Sequence, residues 1–462
     1  MKRLFAALAL TNTVLAFAAA PVTKLTTLHS FVTTDGSHPS GRLVEGEDGV
    51  FFGVTADGGA RNGGTVYKIT ASGVLTTLFD FAQFPNALDG EQPIGGLVRG
   101  ADGDFYGVTV SGGDGFSFDG EIFRITATGT LTVLHSFAGT DGRNPSELML
   151  ASDGNFYGMT SDGGAAGGGT IYRMTPAGAL NTLHDFPNDA TEVGGGLSQL
   201  VEGPGMVLYG TAQTGGYTVP DIEGTFFSVS TTGTFNVLHR FLLYPQRPNG
   251  VVLGPDGALY GSTFNGQGFK LTTGGAITTL HELLGCSCGT PLGGTPVGNF
   301  LWRDDGNFYG VTTNGGVNHW GSIYSMSPTG ALEPLHSFNG TDEGMHPSTT
   351  LIEGRDGRLY GTTFGFNTAG TVYKLAFLPA APAGLSAAPG NPGEVALNWG
   401  GTRSANTYNV YRGTVSGGLA AQHGCRGEST THRTPELTIS SPSRQSTRPA
   451  SGASRPKQAR CR

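Results

Sequence analysis

The sequence predicts an all-β fold, a seven-bladed β-propeller of four-stranded blades closed by its own N-terminal strand, and three observations carry the prediction. The motif Asp-Gly-x-(Phe/Leu)-Tyr-Gly-x-Thr, or a close variant, returns seven times, its common glycine falling at Gly53, Gly107, Gly158, Gly210, Gly261, Gly310 and Gly361. The spacings of 54, 51, 52, 51, 49 and 51 residues suit one four-stranded sheet per repeat, set around an axis. A Leu-His-x-Phe segment also recurs seven times, with Phe79 in place of His in the second copy and Leu283 in place of Phe in the sixth, but out of phase: its first copy precedes every other strand and the last repeat lacks one. The N-terminal copy is therefore placed to complete the final blade and remove the open edges of the ring.

Each repeat divides into four strand-sized pieces, A to D, which the third repeat shows at Glu147 to Ser152, Asn155 to Thr160, Gly169 to Thr175 and Ala179 to Phe186. Asp-Gly separates A from B at Asp48, Asp102, Asp153, Asp256, Asp305 and Asp356, where the glycine tolerates positive φ and the carboxylate folds back on the turn; the fourth repeat reads Pro204-Gly205 instead. Strand C reads Thr-(Val/Ile)-Tyr-(Lys/Arg) at Thr65, Thr170 and Thr371, an alternation of β-branched and aromatic residues that fits a pleated, half-buried surface. Strand D is the Leu-His-x-Phe element, for example Leu28 to Phe31 and Leu134 to Phe137.

Of the 462 residues, 78 are glycine and 13% are charged, as a turn-dense β protein requires. The net charge of −8 is unevenly distributed: the first twenty residues contribute +2 and residues 419–462 contribute +6, which leaves −16 on residues 21–418. An acidic body argues against nucleic acid and anionic membranes as partners. Met1-Lys2-Arg3, the apolar run Leu4 to Phe17 and the small residues Ala18-Ala19-Ala20 have the three parts of a secretory signal peptide, so residues 1–20 are expected to direct export to the periplasm, the cell surface or the medium. No later stretch is apolar enough to predict an integral membrane span. Cys286, Cys288, Cys425 and Cys461 lack a zinc or catalytic spacing.

After a propeller at 21–378 the composition changes. Glu394 to Trp399 and Thr407 to Arg412 resemble the opening strands of a fibronectin type III module, with Trp399 at its core position, so residues 379–418 read as a truncated segment of that kind. From Leu419 to Arg462 there is no Phe, Trp or Tyr, and this basic tail is expected to be disordered.

The composite unit, Asp-Gly-x-Phe-Tyr-Gly-x-Thr, then Gly-Thr-Val-Tyr-Lys-Ile-Thr and Leu-Thr-Thr-Leu-His-Ser-Phe, resembles the GloVer-type tandem repeat of exported bacterial proteins over residues 25–376. The resemblance implies an exported repeat protein; it supplies no catalytic residues to carry over.

The chemistry is sparse. His29, His135, His184, His239, His281 and His336 share one strand-D position in different blades and do not converge on a metal. The Asp-Gly aspartates lack the spacing of a calcium loop, and no nucleophile elbow, zinc or phosphate-loop motif appears, so no cofactor, metal or catalytic residue is assigned. The loops that vary most, D to A and B to C, should emerge on one face, and variable loops on a repetitive scaffold build binding surfaces. They hold Asp114, Phe116, Phe118 and Tyr217, and the pair His319-Trp320. Asp35 with His38 and Asp342 with His346 occupy equivalent loops of blades that become neighbours at closure, which makes the seam the place to look for a metal or acid/base site. The expected function is a non-catalytic binding or adhesion module for extracellular glycan or protein. The alternatives are a propeller enzyme on polysaccharide, a lyase or a glycoside hydrolase, which would need two nearby carboxylates, and a structural surface element.

Overall fold

The computed structural model describes residues 22–83, 89–112, 119–188, 198–213, 222–242, 247–283, 292–365 and 368–378, together with five short C-terminal strands. It divides into two units, Met1–Ala376 and Phe377–Arg462.

In the first unit every described strand belongs to an antiparallel set of four. The first set runs Ser37–Glu45, Val50–Asp57, Asn62–Thr70 and Leu75–Ala82 in spatial order. Five further sets repeat the A-B-C-D order, the third with strand A split into Arg143–Pro145 and Met149–Leu150. The last set is made of Ile352–Glu353, Leu359–Thr363 and Thr371–Phe377, and its outer place is taken by Thr23–Ser30 from the other end of the chain. The phase offset read from the sequence is thus realised as ring closure. The first two sets are joined at one parallel contact between their A strands, Arg42 with Gly96.

The common glycine has a steric explanation. A Cβ built on any of the seven would stand 2.3 to 2.8 Å from the side chain of the strand-C aromatic beside it: Tyr67, Phe123, Tyr172, Phe227, Phe269, Tyr324 or Tyr373. These rings are buried to 2% exposure or less and fill the space between blades. In six repeats the residue two later is a buried threonine, and in four of them its hydroxyl pairs with strand C: Thr55 with Thr65 at 2.9 Å, Thr160 with Thr170 at 3.0 Å, Thr312 with Ser322 at 2.8 Å and Thr363 with Thr371 at 2.9 Å. The Asp-Gly aspartates close their turns and also clamp the motif tyrosine, whose hydroxyl donates to Asp102, Asp153, Asp256, Asp305 or Asp356 at 2.6 to 2.9 Å.

The core lies between neighbouring blades rather than inside any one. Phe52, Val54, Phe105 and Phe123 join blades 1 and 2, and Phe31, Phe51, Tyr67, Tyr360 and Val372 join blade 7 back to blade 1. On the A–B and C–D turn face, the turn glycine of one blade packs on a strand-D leucine carbonyl of the blade before it, as Gly129 does on Leu78 and Gly178 on Leu134. On the opposite face, a proline opening strand A meets a glycine of the preceding blade, as Pro145 meets Gly120 and Pro347 meets Gly321.

In the second unit Ser386–Pro389, Val395–Trp399 and Lys457–Cys461 form one small sheet, and Thr407–Val410 pairs with Leu437–Ser440. Two of these strands fall inside residues 419–462, where none was expected. Leu437-Thr438-Ile439 carries a short apolar and β-branched alternation that aromatic content alone overlooks. The rest of that tail, and residues 1–21, lie outside the described residues.

Candidate functional site

The B–C and D–A loops do share a face, because described B–C loops are hydrogen-bonded to the D–A loops beside them: Gly59 N–H donates to the Thr33 carbonyl at 2.8 Å and Gly164 N–H to the Gly139 carbonyl at 2.9 Å. At the closing seam this face brings four rings into a row. Trp320 lies in the B–C loop of blade 6, Phe364 in that of blade 7, and His346 and His38 stand at the starts of strand A in blades 7 and 1. His38 stacks on Phe364 with centroids 4.3 Å apart and planes 17° from parallel. His346 meets Trp320 edge-on at 5.6 Å. Backbone bonds lock the row together: His346 N–H donates to the Trp320 carbonyl at 3.0 Å, Phe364 N–H to the His346 carbonyl at 2.9 Å, and His38 N–H to the Ala369 carbonyl at 2.9 Å.

Both imidazoles are oriented through Nδ1, that of His38 by Asp57 Oδ2 at 2.9 Å and that of His346 by the Thr313 carbonyl at 2.7 Å. His38, His319 and His346 have φ of 55°, 69° and 56°, the left-handed region that costs a branched or bulky residue energy and gathers at functional loops. Trp320 is fixed from below by Gly340, where any Cβ would stand 2.4 Å from its indole nitrogen. Even so, Trp320 remains 37% and Phe364 41% exposed.

Of the residues singled out from sequence, His38, His346 and Trp320 are therefore brought together. His319 is exposed next to Trp320. Asp35 is engaged by its own loop, accepting from Val32 N–H at 2.9 Å and lying 3.0 Å from His29 Nε2. Asp342 accepts from Asn339 Nδ2 at 2.7 Å and Thr341 Oγ1 at 2.9 Å. Asp114, Phe116, Phe118 and Tyr217 lie outside the described residues, as do Cys286 and Cys288. Among the described residues no three His, Cys, Asp or Glu side chains gather as metal ligands.

Sequence reasoning missed Phe364 and Asp57, and it missed the hub. Eleven residues before each common glycine, strand A presents Arg42, Gly96, Glu147, Gln199, Gly250, Asn299 and Thr350. Arg42 Nε of blade 1 reaches Glu147 Oε1 of blade 3 at 3.0 Å, past blade 2, which is possible only where the A strands converge. Gln199 Nε2 donates to the Leu148 carbonyl at 3.0 Å, and Asn299 N–H to Thr350 Oγ1 at 2.8 Å. Burial pushes the Glu147 carboxyl up to about 7 against the pull of Arg42, so it exchanges a proton near neutrality.

Solved structures share the fold at low identity. A catalytically inactive virginiamycin B lyase from Staphylococcus aureus, with quinupristin, is 16% identical with a TM-score of 0.53, over 77% of this chain and all of that one. The extracellular domain of a candidate hybrid two-component system from B. thetaiotaomicron is 10% identical with a TM-score of 0.51, over 80% of this chain and 45% of that one. An oligogalacturonate lyase in complex with manganese is 13% identical with a TM-score of 0.50, over 78% and 94%. No curated protein matches the sequence. The repeat itself is the decisive likeness: the family model described as the Gloeobacter/Verrucomicrobia repeat matches residues 12–150, 83–273 and 247–386, and the chain belongs to that family.

Proposed function

We propose that this repeat propeller is an exported, non-catalytic module that binds extracellular carbohydrate on its loop face at the closing seam. One observation carries the reading: Trp320 and Phe364 expose aromatic surface in a row with two oriented imidazoles and the Asp57 carboxylate. Apolar ring faces take the C–H faces of a sugar, and flanking polar groups fix its hydroxyls. The leader-like N-terminus supports an extracellular ligand. The test is an oligosaccharide panel read by thermal shift and calorimetry on the full chain. A saturable ligand whose affinity drops about tenfold or more in Trp320→Ala and in Phe364→Ala supports the reading. A ligand held equally by wild type and both variants sinks it.

A second reading has one observation in its favour. Glu147 carries a proton-exchanging carboxyl at the hub, and two of the similar folds are lyases, so turnover of a bound polysaccharide by elimination is the enzymatic alternative. The hub position offers a single carboxylate, which is one fewer than glycoside hydrolysis uses. Unsaturated products from a bound glycan, abolished in Glu147→Gln with binding retained, would move the protein into that class.

A further inference from the structure

The turn face holds a cavity that the seam does not explain. It is an open pocket of about 410 Å³ between blades 1 and 2, with Lys68 and Arg99 on its walls and Phe52, Phe105, Val50 and Val74 as its apolar surface. Its origin is local to blade 1. The clamp tyrosine is replaced there by Phe52, which stacks on Phe105 at 4.0 Å and sends no hydroxyl to Asp48. Eight residues before the common glycine, blades 1, 4 and 7 place Glu45, Glu202 and Glu353, whereas blade 2 places Arg99.

The hydrogen-bonding capacity around this cavity is one-sided. The acceptors are already engaged: Asp102 by the Tyr106 hydroxyl at 2.8 Å, Asp104 by Arg124 Nε at 2.6 Å, and Glu47 by Arg99 Nη2 at 3.0 Å. The donors are not. Arg99 Nε is buried and meets no acceptor among the described residues. Lys68 Nζ reaches only the Ala127 carbonyl, at 3.4 Å, and no carboxylate within ion-pair range among those residues. The equivalent Lys270 of blade 5 instead pairs with Asp256 at 2.6 Å over the Tyr260 ring. A buried guanidinium N–H without an acceptor is costly, so a cavity that holds Arg99 Nε beside an ammonium with one long carbonyl contact favours a ligand that brings acceptors.

We infer that this cavity is a second binding site, for a small carboxylate carried on a six-membered ring, with Lys68 and Arg99 taking the carboxylate and the Val50, Val74 and Phe52 wall taking the ring. A volume of this size fits one such ring with its substituents. A sugar acid and an aromatic acid share the chemistry, and the two are separated by probe.

The experiment is calorimetry of the full-length protein with glucuronate, benzoate and, as the neutral counterpart, glucose. Saturable binding of glucuronate or benzoate, absent for glucose, is expected; which acid binds identifies the ring. Lys68→Met, which keeps the aliphatic stem, should weaken that binding about tenfold without lowering Tm. Trp320→Ala should leave it unchanged, which separates this site from the seam. Binding of glucose as tight as that of the acid, an unaltered affinity in Lys68→Met, or no saturable binding of either acid overturns the inference.

Discussion

At the level of single residues the repeat is held by side chains packed too closely to change. The built Cβ of Gly158 would stand 2.3 Å from the Tyr172 hydroxyl oxygen and 2.5 Å from the ring carbon bearing it, and the ring is fully buried. Gly158→Ala should therefore cost about 1–3 kcal/mol of stability, measured by urea unfolding. The Tyr172 hydroxyl itself has no partner among the described residues, and three other blades place Phe123, Phe227 or Phe269 at that position. Tyr172→Phe is expected to be neutral or stabilising and to shrink the Gly158→Ala penalty, because the nearest clashing atom is then gone. If the two changes add without coupling, the steric account is wrong. Glu147 gives a different kind of prediction. Its folded carboxyl titrates near 7, above the ordinary range, so between about pH 4.5 and 7 the folded protein holds a proton that the unfolded chain has released. Stability from this group is complete below that window and declines as pH rises through it, by up to about 3 kcal/mol. Glu147→Gln should flatten the dependence of unfolding free energy on pH across the window; an unchanged slope would place the titration elsewhere.

Elements show what a one-dimensional pattern can and cannot reveal. The Asp-Gly turn, strand B and the alternation in strand C depend on neighbours within a few residues, so their residue types repeat and were legible. The clamp from Tyr157 to Asp153, at 2.8 Å, sits in that local range as well. Burial opposes ionisation of Asp153, yet the Asn155 and Tyr157 donors hold its carboxyl below the usual range. The clamp should then contribute about 1 kcal/mol at pH 7, lost on acidification through that lowered pKa; a Tyr157→Phe penalty that does not shrink as Asp153 is protonated would contradict it. The joints between blades were not legible, because Gly120 and Pro145, or Gly129 and Leu78, find each other only after the blades stack. The hub position hid for a related reason. Arg, Gly, Glu, Gln, Gly, Asn and Thr share no residue type, so a search for repeating letters discards the column in which the blades differ by design of the axis. At the seam, the matched offsets of His38 and His346 pointed to a shared site, whereas Phe364 and Asp57 joined it through loop contacts with no fixed spacing.

For the whole molecule the decisive bond is the one between its two ends. Six of the blade joints on the turn face seat a turn glycine on a strand-D leucine carbonyl: Gly73 on Leu28, Gly129 on Leu78, Gly178 on Leu134, Gly233 on Leu183, Gly275 on Leu238 and Gly330 on Leu280. Between blades 6 and 7 no such turn exists, because strands C and D of blade 7 come from opposite ends of the first unit. The vacant role is filled by Thr23, whose hydroxyl donates to the Leu335 carbonyl at 2.6 Å, while Thr27 reaches the Asp342 carbonyl at 2.7 Å. Thr23→Val keeps the shape of the side chain and removes the donor, so it should cost about 1 kcal/mol. Deleting residues 22–31 is a larger change: it removes Thr23–Ser30 from the sheet and Phe31 from the core that joins blade 7 to blade 1. The outer edge of Thr371–Phe377 is then left without its partner strand, a template for pairing with another chain. The shortened protein should elute as aggregate and lose its single cooperative unfolding transition, and a synthetic peptide of residues 22–32 added in trans should return a monodisperse species with Tm rising as peptide saturates the edge. A shortened protein that stays monomeric with the parent Tm would show that the other six joints hold the ring without its closing strand.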